Sequence, residues 1–125
     1  MIYFNLEQVE EIHISLMSKT GGIAGVRDKN LLDFSLKSPF QTFDGNELYP
    51  DVFDKVAQLC YSLINNHPFV DGNKRMGIHL SLLFLKLNGQ TLLFSQKELV
   101  ECGLNIASGK MNKNAIKELF LGHNK

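Results

Sequence analysis

The spacing of apolar positions predicts a helix at the start of the chain and a second one close behind it. One face of the first helix would carry Leu6, Val9, Ile12, His13, Leu16 and Met17, which recur every three or four residues. Asn5 is a suitable N-cap for this helix, and the pair Gly21–Gly22 ends it. A second helix can begin after Asp28 and must end before Pro39, because the residue preceding a proline is disfavoured in the helical region.

The central part of the chain predicts a short hairpin followed by two longer helices. Asp44–Gly45 lies between short apolar pairs in residues 40–50, a pattern typical of a hairpin or flap. Asp51 can cap a third helix that ends at Asn65–Asn66. The segment from Met76 to Leu87 is apolar on nearly every side, which predicts a helix at the centre of a bundle.

Two further helices are expected at the C-terminal end. Ser95 and Glu98 form the pattern of a capping box, for a helix that runs to about Ser108–Gly109. Asn112 can cap a last short helix, with Gly122 as its stop. The chain contains no repeat, low-complexity run or linker. The sequence therefore predicts an all-α fold, a compact single-domain helical bundle over residues 1–125 with one flap.

Charge and composition exclude several classes of protein. Thirteen basic and thirteen acidic residues give a formal net charge of zero, so neither direct nucleic-acid binding nor membrane association is expected. Cys60 and Cys102 lie in helical patterns and are expected to be buried, reduced thiols. No signal-peptide pattern opens the chain, and the longest apolar run is interrupted by polar residues. These features predict a cytoplasmic protein.

The run from His67 to Arg75 carries the most informative chemistry. It reads His-Pro-Phe-Val-Asp-Gly-Asn-Lys-Arg and lies between the two central predicted helices. Free N–H groups and the positive dipole end at the start of a helix favour bound anions. The run places a base, a carboxylate, a glycine, an amide and two cations at the start of a helix. It therefore predicts a phosphate-binding site with a proton acceptor beside it.

Individual roles follow from the chemistry of each side chain, with a structural alternative for each. His67 is a candidate general base because its pKa is near neutral; the alternative is a core histidine. Asp71 is a candidate magnesium ligand beside phosphate oxygens, or else a cap of the next helix. The candidate phosphate-binding residues are Gly72, Asn73, Lys74 and Arg75, although Asn73 could be a cap and the two cations merely solvated.

Residues in three regions outside the loop have more than one open interpretation. His79 lies one turn beyond Arg75 and is a candidate for the same pocket. Tyr49 and the flap are candidates for docking a target segment by strand addition, or are an ordinary surface loop. Arg27–Asp28 could be a structural pair or could line the mouth of the pocket.

The loop resembles the signature of the Fic/Doc superfamily, His-x-Phe-x-Asp/Glu-Gly-Asn-x-Arg. Fic enzymes usually carry Gly after the Asn and a second Arg three residues beyond the first, where this chain has Lys74 and Ile78. That departure resembles the Doc (death on curing) branch. The likeness covers roughly residues 1–95 and includes Gly25-Val26-Arg27-Asp28, Leu31-Leu32, Leu48-Tyr49-Pro50 and Leu87-Asn88-Gly89.

The resemblance implies a toxin of a toxin–antitoxin pair. Such an enzyme would transfer the γ-phosphate of ATP to a threonine of elongation factor Tu and block translation, with His67 as base and Mg²⁺ at Asp71. The nucleotide would lie reversed relative to Fic enzymes. This chain contains no inhibitory Ser/Thr-x-x-x-Glu-Gly/Asn run, so inhibition is expected from a flexible segment of a separate antitoxin.

Three other functions stay open at this stage. Transfer of AMP to a protein hydroxyl would use the same parts, although Ile78 in place of a second arginine argues against it. A metal-dependent phosphodiesterase could use His67, Asp71 and His79 as ligands. A non-catalytic binding module that retains the fold is the third.

Overall fold

The chain forms six α-helices and one small hairpin in the computed structural model, which describes residues 1–124. The helices are α1 (Leu6–Thr20), α2 (Lys29–Lys37), α3 (Val52–Asn66), α4 (Asn73–Leu87), α5 (Gln96–Ala107) and α6 (Lys113–Gly122). A 3₁₀ turn, Ser38–Phe40, follows α2, and strands β1 (Thr42–Phe43) and β2 (Asn46–Glu47) make the hairpin. The predicted all-α fold with a flap is confirmed.

The predicted N-caps are confirmed for five helices. Asn5, Asp28, Asp51, Ser95 and Asn112 each accept a hydrogen bond from a backbone N–H in the first turn. Capping boxes are complete at α1 and α5, where the side chain of the third helical residue accepts a hydrogen bond from the backbone N–H of the cap residue. Each cap satisfies a backbone donor that would otherwise lack a partner.

The start of α4 differs from the prediction. The helix begins at Asn73, three residues before Met76, and its N-cap is Gly72 with φ 74° and no side-chain cap. The apolar pattern marks where the helix is buried, and its first turn is polar because that turn lies at the surface. Asn73, Lys74 and Arg75 are therefore helical residues and not part of the loop.

The core is centred on α3 and α4, which pack along each other and are joined by the short connection of residues 67–72. A Cβ at Gly77 would lie 2.7 Å from Cγ1 of Ile64, so the glycine permits the close approach of the two helices. Cys60 and Cys102 are buried free thiols, as predicted, and burial raises the pKa of Cys60 to about 12. No helix within residues 1–124 is long and apolar enough to cross a membrane.

The hairpin pairs Thr42 with Glu47 and Phe43 with Asn46 in antiparallel register. Asp44 and Gly45 form the turn with φ of 52° and 79°, as a two-residue turn of this hand requires. All four strand residues are exposed. The hairpin therefore has almost no core of its own.

Candidate active site

His67 occupies the first position after α3, in the left-handed conformation with φ 50° and ψ 55°. Its side chain is exposed, and its ring makes no hydrogen bond within residues 1–124. A left-handed residue commonly ends a helix, and here it turns the chain out of α3 into the loop. The imidazole is therefore free to exchange a proton with a bound group.

The connection between α1 and α2, residues 21–28, lies alongside the loop and holds its backbone. The carbonyl of Pro68 accepts hydrogen bonds from the N–H groups of Arg27 (2.8 Å) and Asp28 (3.0 Å). The N–H of Val70 donates to the carbonyl of Gly25 at 3.0 Å, and Val26 forms an antiparallel bridge with Phe69. The loop is thus paired like a strand to a second segment.

Arg27 and Asp28 support the site without pairing to each other. The Arg27 guanidinium donates to the carbonyls of His67 (2.7 Å) and Asn66 (3.0 Å), where a positive charge is favourable at the C-terminus of α3. Asp28 caps α2 by accepting from the N–H of Leu31. Each residue thus supports the end of a helix, and a place at the mouth of the pocket stays a prediction.

His13 is a supporting residue that the sequence reading missed. Its buried ring stacks on the ring of Phe69, with centroids 4.1 Å apart and planes at 14°. Its Nε2 lies 2.8 Å from the carbonyl oxygen of Asp71, to which Nε2–H can donate. The available signal was a titratable side chain on the apolar face of α1. The stacking fixes Phe69, whose buried ring anchors the loop.

The side chain of Asn73 closes the loop. Its amide oxygen accepts from the N–H of Phe69 at 2.9 Å, and its Nδ2 donates to the carbonyl of Phe69 at 3.1 Å. Both polar atoms are therefore used within the protein, and the side chain does not cap α4. What Asn73 can offer a phosphate is its backbone N–H in the first turn of the helix.

Gly72 is favoured at this position by its backbone and by its surroundings. Its φ of 74° favours glycine, and a Cβ here would collide with the Sδ and Cε atoms of Met17. Its role in phosphate binding stays a prediction. Buried Met17 of α1 fills the space beside the turn.

Asp71 presents an ionised carboxylate beside the start of α4. One oxygen accepts from the N–H of Ile23 (3.0 Å), and the other accepts from the N–H of Gly72 (2.8 Å) and lies 3.9 Å from Arg75 Nη2. The two backbone hydrogen bonds, followed by the nearby Arg75 charge, hold the pKa of Asp71 below its ordinary value. Gly22 lies against it: a Cβ there would be 2.8 Å from Asp71 Oδ2.

This carboxylate fits one way of binding magnesium. Mg²⁺ is often held by one or two carboxylates, with water and substrate phosphate oxygens completing the octahedron. Asp71 is partly exposed, with 43% of its side chain accessible. Within residues 1–124, no three His, Cys, Asp or Glu side chains gather around a common point. The three-ligand set His67, Asp71 and His79 of a phosphodiesterase is therefore not assembled.

Arg75 and Lys74 are placed differently at the start of α4. Arg75 Nη1 donates to Thr20 Oγ1 (2.7 Å) and to the carbonyl of Gly21, so this arginine ties α4 to the end of α1. The ammonium of Lys74 has no partner within residues 1–124, and its stem packs against Gly103 of α5, where a Cβ would lie 3.4 Å away. Lys74 is the more available cation.

Lys74, Arg75 and His79 line one groove of about 350 Å³ between α1, α4 and α5. The groove is otherwise mainly apolar, with Leu16, Ile78, Leu82, Leu99, Val100 and Leu104. Partial burial and the charge of Lys19 lower the pKa of His79. The structure thus brings His79 together with the two cations, while His67 and Asp71 lie outside this groove.

Tyr49 is committed to contacts within the protein. Its hydroxyl accepts a hydrogen bond from Lys113 Nζ of α6 at 3.0 Å, and the same ammonium lies 5.2 Å from its ring centroid. Its side chain is only partly exposed. The exposed aromatic residue of the hairpin is instead Phe43, at 74% accessible.

Comparison with known proteins identifies the family of this chain. The model of the Fic/DOC family matches residues 3–85, which include the loop, both central helices to near the end of α4, and the hairpin. This chain belongs to the Fic/Doc family.

Two Doc proteins are among its relatives. "Toxin Doc" of Mycolicibacterium smegmatis is 44% identical over 72 residues, which cover 58% of this chain and 55% of that protein. "Protein kinase doc" of Escherichia phage P1 is 25% identical over 118 residues, which cover 94% of this chain and 92% of the phage protein. The match therefore spans about half the length of the mycobacterial Doc protein and nearly all of the phage one.

Asn73→Ala is expected to destabilise this Fic/Doc chain by about 1–3 kcal/mol, because it leaves both backbone groups of Phe69 without their partner in a partly buried place. Urea denaturation measures the change. Asn114→Ala is the matched control, since Asn114 is exposed in α6 and makes no side-chain hydrogen bond within residues 1–124. Equal stabilities of the two variants would show that the Asn73 amide does not hold the loop.

Proposed function

We propose that this Fic/Doc protein is a toxin that transfers the γ-phosphoryl group of ATP to a serine or threonine hydroxyl of a protein. The observation that carries the proposal is the ammonium of Lys74, which has no partner among residues 1–124 and lies in the first turn of α4, where no side chain caps the helix. The names of the two relatives, a toxin and a protein kinase, support the same class.

The reaction can be written with the side chains of the loop. The exposed imidazole of His67 would take the proton of the target hydroxyl as its oxygen attacks the γ-phosphorus. The new O–P bond would form as the bond between the γ-phosphorus and its bridging oxygen breaks, and ADP would leave with that electron pair. Mg²⁺ on Asp71 would neutralise charge on the phosphate oxygens. The N–H groups at the start of α4 and Lys74 would bind those oxygens.

Lys74 and Ile78 favour phosphoryl transfer over the alternative, AMP transfer. A lysine in place of glycine fills space at the start of α4 and adds a point charge, which suits a terminal phosphate better than one that bears an adenosine ester. Ile78 lines the groove at the position where Fic enzymes carry a second arginine, so the far end of the triphosphate would lack that cation. AMP transfer would use the same side chains, so the two reactions are distinguished by which phosphate of ATP reaches the target.

The expected target is elongation factor Tu, so that modification would block translation. This target comes from the Doc resemblance. The exposed hairpin, with Phe43 projecting, is a candidate edge for a target segment to add as a strand.

His67→Asn is expected to lower label transfer by about 10²–10⁴-fold, the usual contribution of a general base. Asparagine is chosen because it tolerates the left-handed backbone that His67 adopts, so the loop should keep its shape. Transfer rate and thermal unfolding are measured on the same samples. Undiminished transfer in the folded variant would exclude His67 as the base.

The chemistry of transfer is tested with ATP labelled at either the γ or the α position, incubated with the chain and a bacterial lysate. We expect γ label and a mass gain of about 80 Da on the target, as one phosphoryl group requires. We also expect loss of transfer in excess chelator or in Asp71→Ala. Lys74→Gly should lose most transfer, while Lys86→Gly, an exposed lysine in the same helix, should retain it. AMP on the target of the native chain would favour the alternative, and no label from either ATP would favour the binding module.

We further propose that a separate antitoxin inhibits the enzyme through an acidic, amphipathic segment that folds into the groove between α1, α4 and α5. Val100 and Leu104 are each 53% exposed on one face of α5 and line this groove, which suits the apolar face of a helix. Lys74 at its end attracts a carboxylate and is the residue proposed to bind phosphate. Occupation of the groove would therefore compete with the nucleotide.

Leu104→Glu is expected to weaken inhibition by the cognate antitoxin by about tenfold or more, because a charge would be buried in an apolar contact. Label transfer without antitoxin should be unchanged. Leu121→Glu in α6 is the control, an exposed leucine outside the groove. Inhibition curves for the three proteins provide the measurement, and identical curves would place the antitoxin elsewhere.

A further inference from the structure

Lys55 is a buried lysine that the proposed reaction does not use. It lies in the first part of α3, is only 2% exposed and is among the largest fully buried side chains. Lysine is almost never buried unless its charge is paired. Its ammonium contacts Glu47 Oε1 at 2.8 Å, the carbonyl of Pro39 at 3.4 Å and the carbonyl of Tyr49. An ammonium has three N–H donors, so each has an acceptor.

These acceptors come from both ends of the hairpin. Pro39 precedes β1, Glu47 belongs to β2 and Tyr49 follows β2. The ring of Phe40, also before β1, has its centroid 5.0 Å from the same ammonium, a distance that suits a cation–π contact. One side chain of α3 therefore fastens the chain where it enters the hairpin and where it leaves.

Few other contacts fix the hairpin. The four residues of its two pairs are exposed, and one further backbone hydrogen bond joins Leu48 N–H to the carbonyl of Gln41 at 3.0 Å. Outside the strands, Lys113 of α6 donates to the Tyr49 hydroxyl at 3.0 Å. An isolated two-stranded hairpin is marginally stable in water. The orientation of this hairpin on the helices must therefore come mainly from its base.

We propose that Lys55 is a positioning residue: it fixes the hairpin on α3 and thereby sets the affinity for the protein target. The second half rests on the proposed function, in which the hairpin docks that target. Lys55 does not line the groove, and its ammonium bonds to Pro39, Glu47 and Tyr49, not to residues 67–72.

Because Lys55 lies far from the loop, its loss should affect binding of the protein target and not the phosphoryl transfer step. Lys55 and His67 are twelve positions apart, about 18 Å along a helix axis, and the loop backbone is held by residues 21–28 instead. Changes more than 7–10 Å apart usually act independently. Loss of the anchor should therefore raise KM for the protein target and leave kcat and KM for ATP nearly unchanged. A general loss of stability would not produce that split.

The anchor itself is tested by amide hydrogen exchange on Lys55→Met, which keeps most of the length and volume of the side chain but removes the ammonium and its charge. Residues 41–49 should exchange about tenfold faster or more, the effect expected if about 1.4 kcal/mol of local stability is lost. Residues 66–75 should be unchanged. Lys117→Met is the control, because Lys117 pairs with Asp51 and Asp54 at the same end of α3 but does not contact the hairpin. Unchanged exchange of residues 41–49 in Lys55→Met would overturn the proposal.

Glu47→Gln is a second variant that preserves the fold if Lys55→Met does not. The Glu47 side chain is 51% exposed, so we expect removal of its charge to weaken the ion pair and leave the helices intact. It should show a smaller increase in exchange over the same residues. If Lys55→Met does not fold and residues 41–49 of Glu47→Gln exchange at the native rate, Lys55 is not the anchor of the hairpin.

The link to the target is tested with the γ-label assay on native chain, Lys55→Met, a chain with residues 42–47 replaced by Gly-Gly, and the combination. We expect Lys55→Met to raise KM for the target about tenfold, and to add nothing further once the hairpin is removed. An additive effect, or a fall in kcat alone, would overturn the positioning role. No transfer by the native chain would refute the proposed function and with it the docking role, while hydrogen exchange still decides whether Lys55 is the anchor.

Discussion

The candidate site depends on the pairing of the loop with the connection between α1 and α2. Two N–H groups meet at the carbonyl of Pro68, Gly25 accepts from Val70, and Ile23 donates to the Asp71 carboxylate. A polar loop that lacked these partners would expose unsatisfied backbone groups or move among several shapes. Because the loop is paired along its length, His67 and Asp71 are fixed relative to α4 before any ligand arrives, which is the condition for a preorganised site.

The charges around the loop are divided between support and chemistry. Arg27 lies on the carbonyls at the end of α3, and Arg75 lies on the carbonyl of Gly21 at the end of α1. Each arginine thus covers the negative end of a helix. The positive end of α4 has no side-chain cap, and the ammonium of Lys74 beside it has no partner among residues 1–124. These two features support the proposed anion site in a chain with no formal net charge.

The sequence predicted the features that depend on interactions between residues close together in the chain. The caps at Asn5, Asp28 and Ser95 were predictable because their partners lie three residues away. The apolar spacing likewise predicted α3 and most of α4.

What could not be read depends on residues far apart in the chain. Gly72 is needed because Met17 fills the space beside it, and His13 matters because it stacks on Phe69. Lys55 looks like any helical lysine in the sequence, since two of its partners are backbone carbonyls that have no side-chain signature. The start of α4 was missed because its first turn is polar.

The support of the loop by main-chain atoms has a consequence for how this protein can change over generations. Most contacts from residues 21–28 are made by N–H and C=O groups that almost any amino acid provides, and Ile23 is 65% exposed. The residue type is nevertheless restricted at five of the eight positions. Gly21, Gly22 and Gly25 have φ of 81°, 135° and 140°, Arg27 donates to two carbonyls at the end of α3, and Asp28 caps α2. Substitutions can therefore accumulate at the exposed Ile23 and Ala24 without altering the geometry that the segment imposes on the reactive loop.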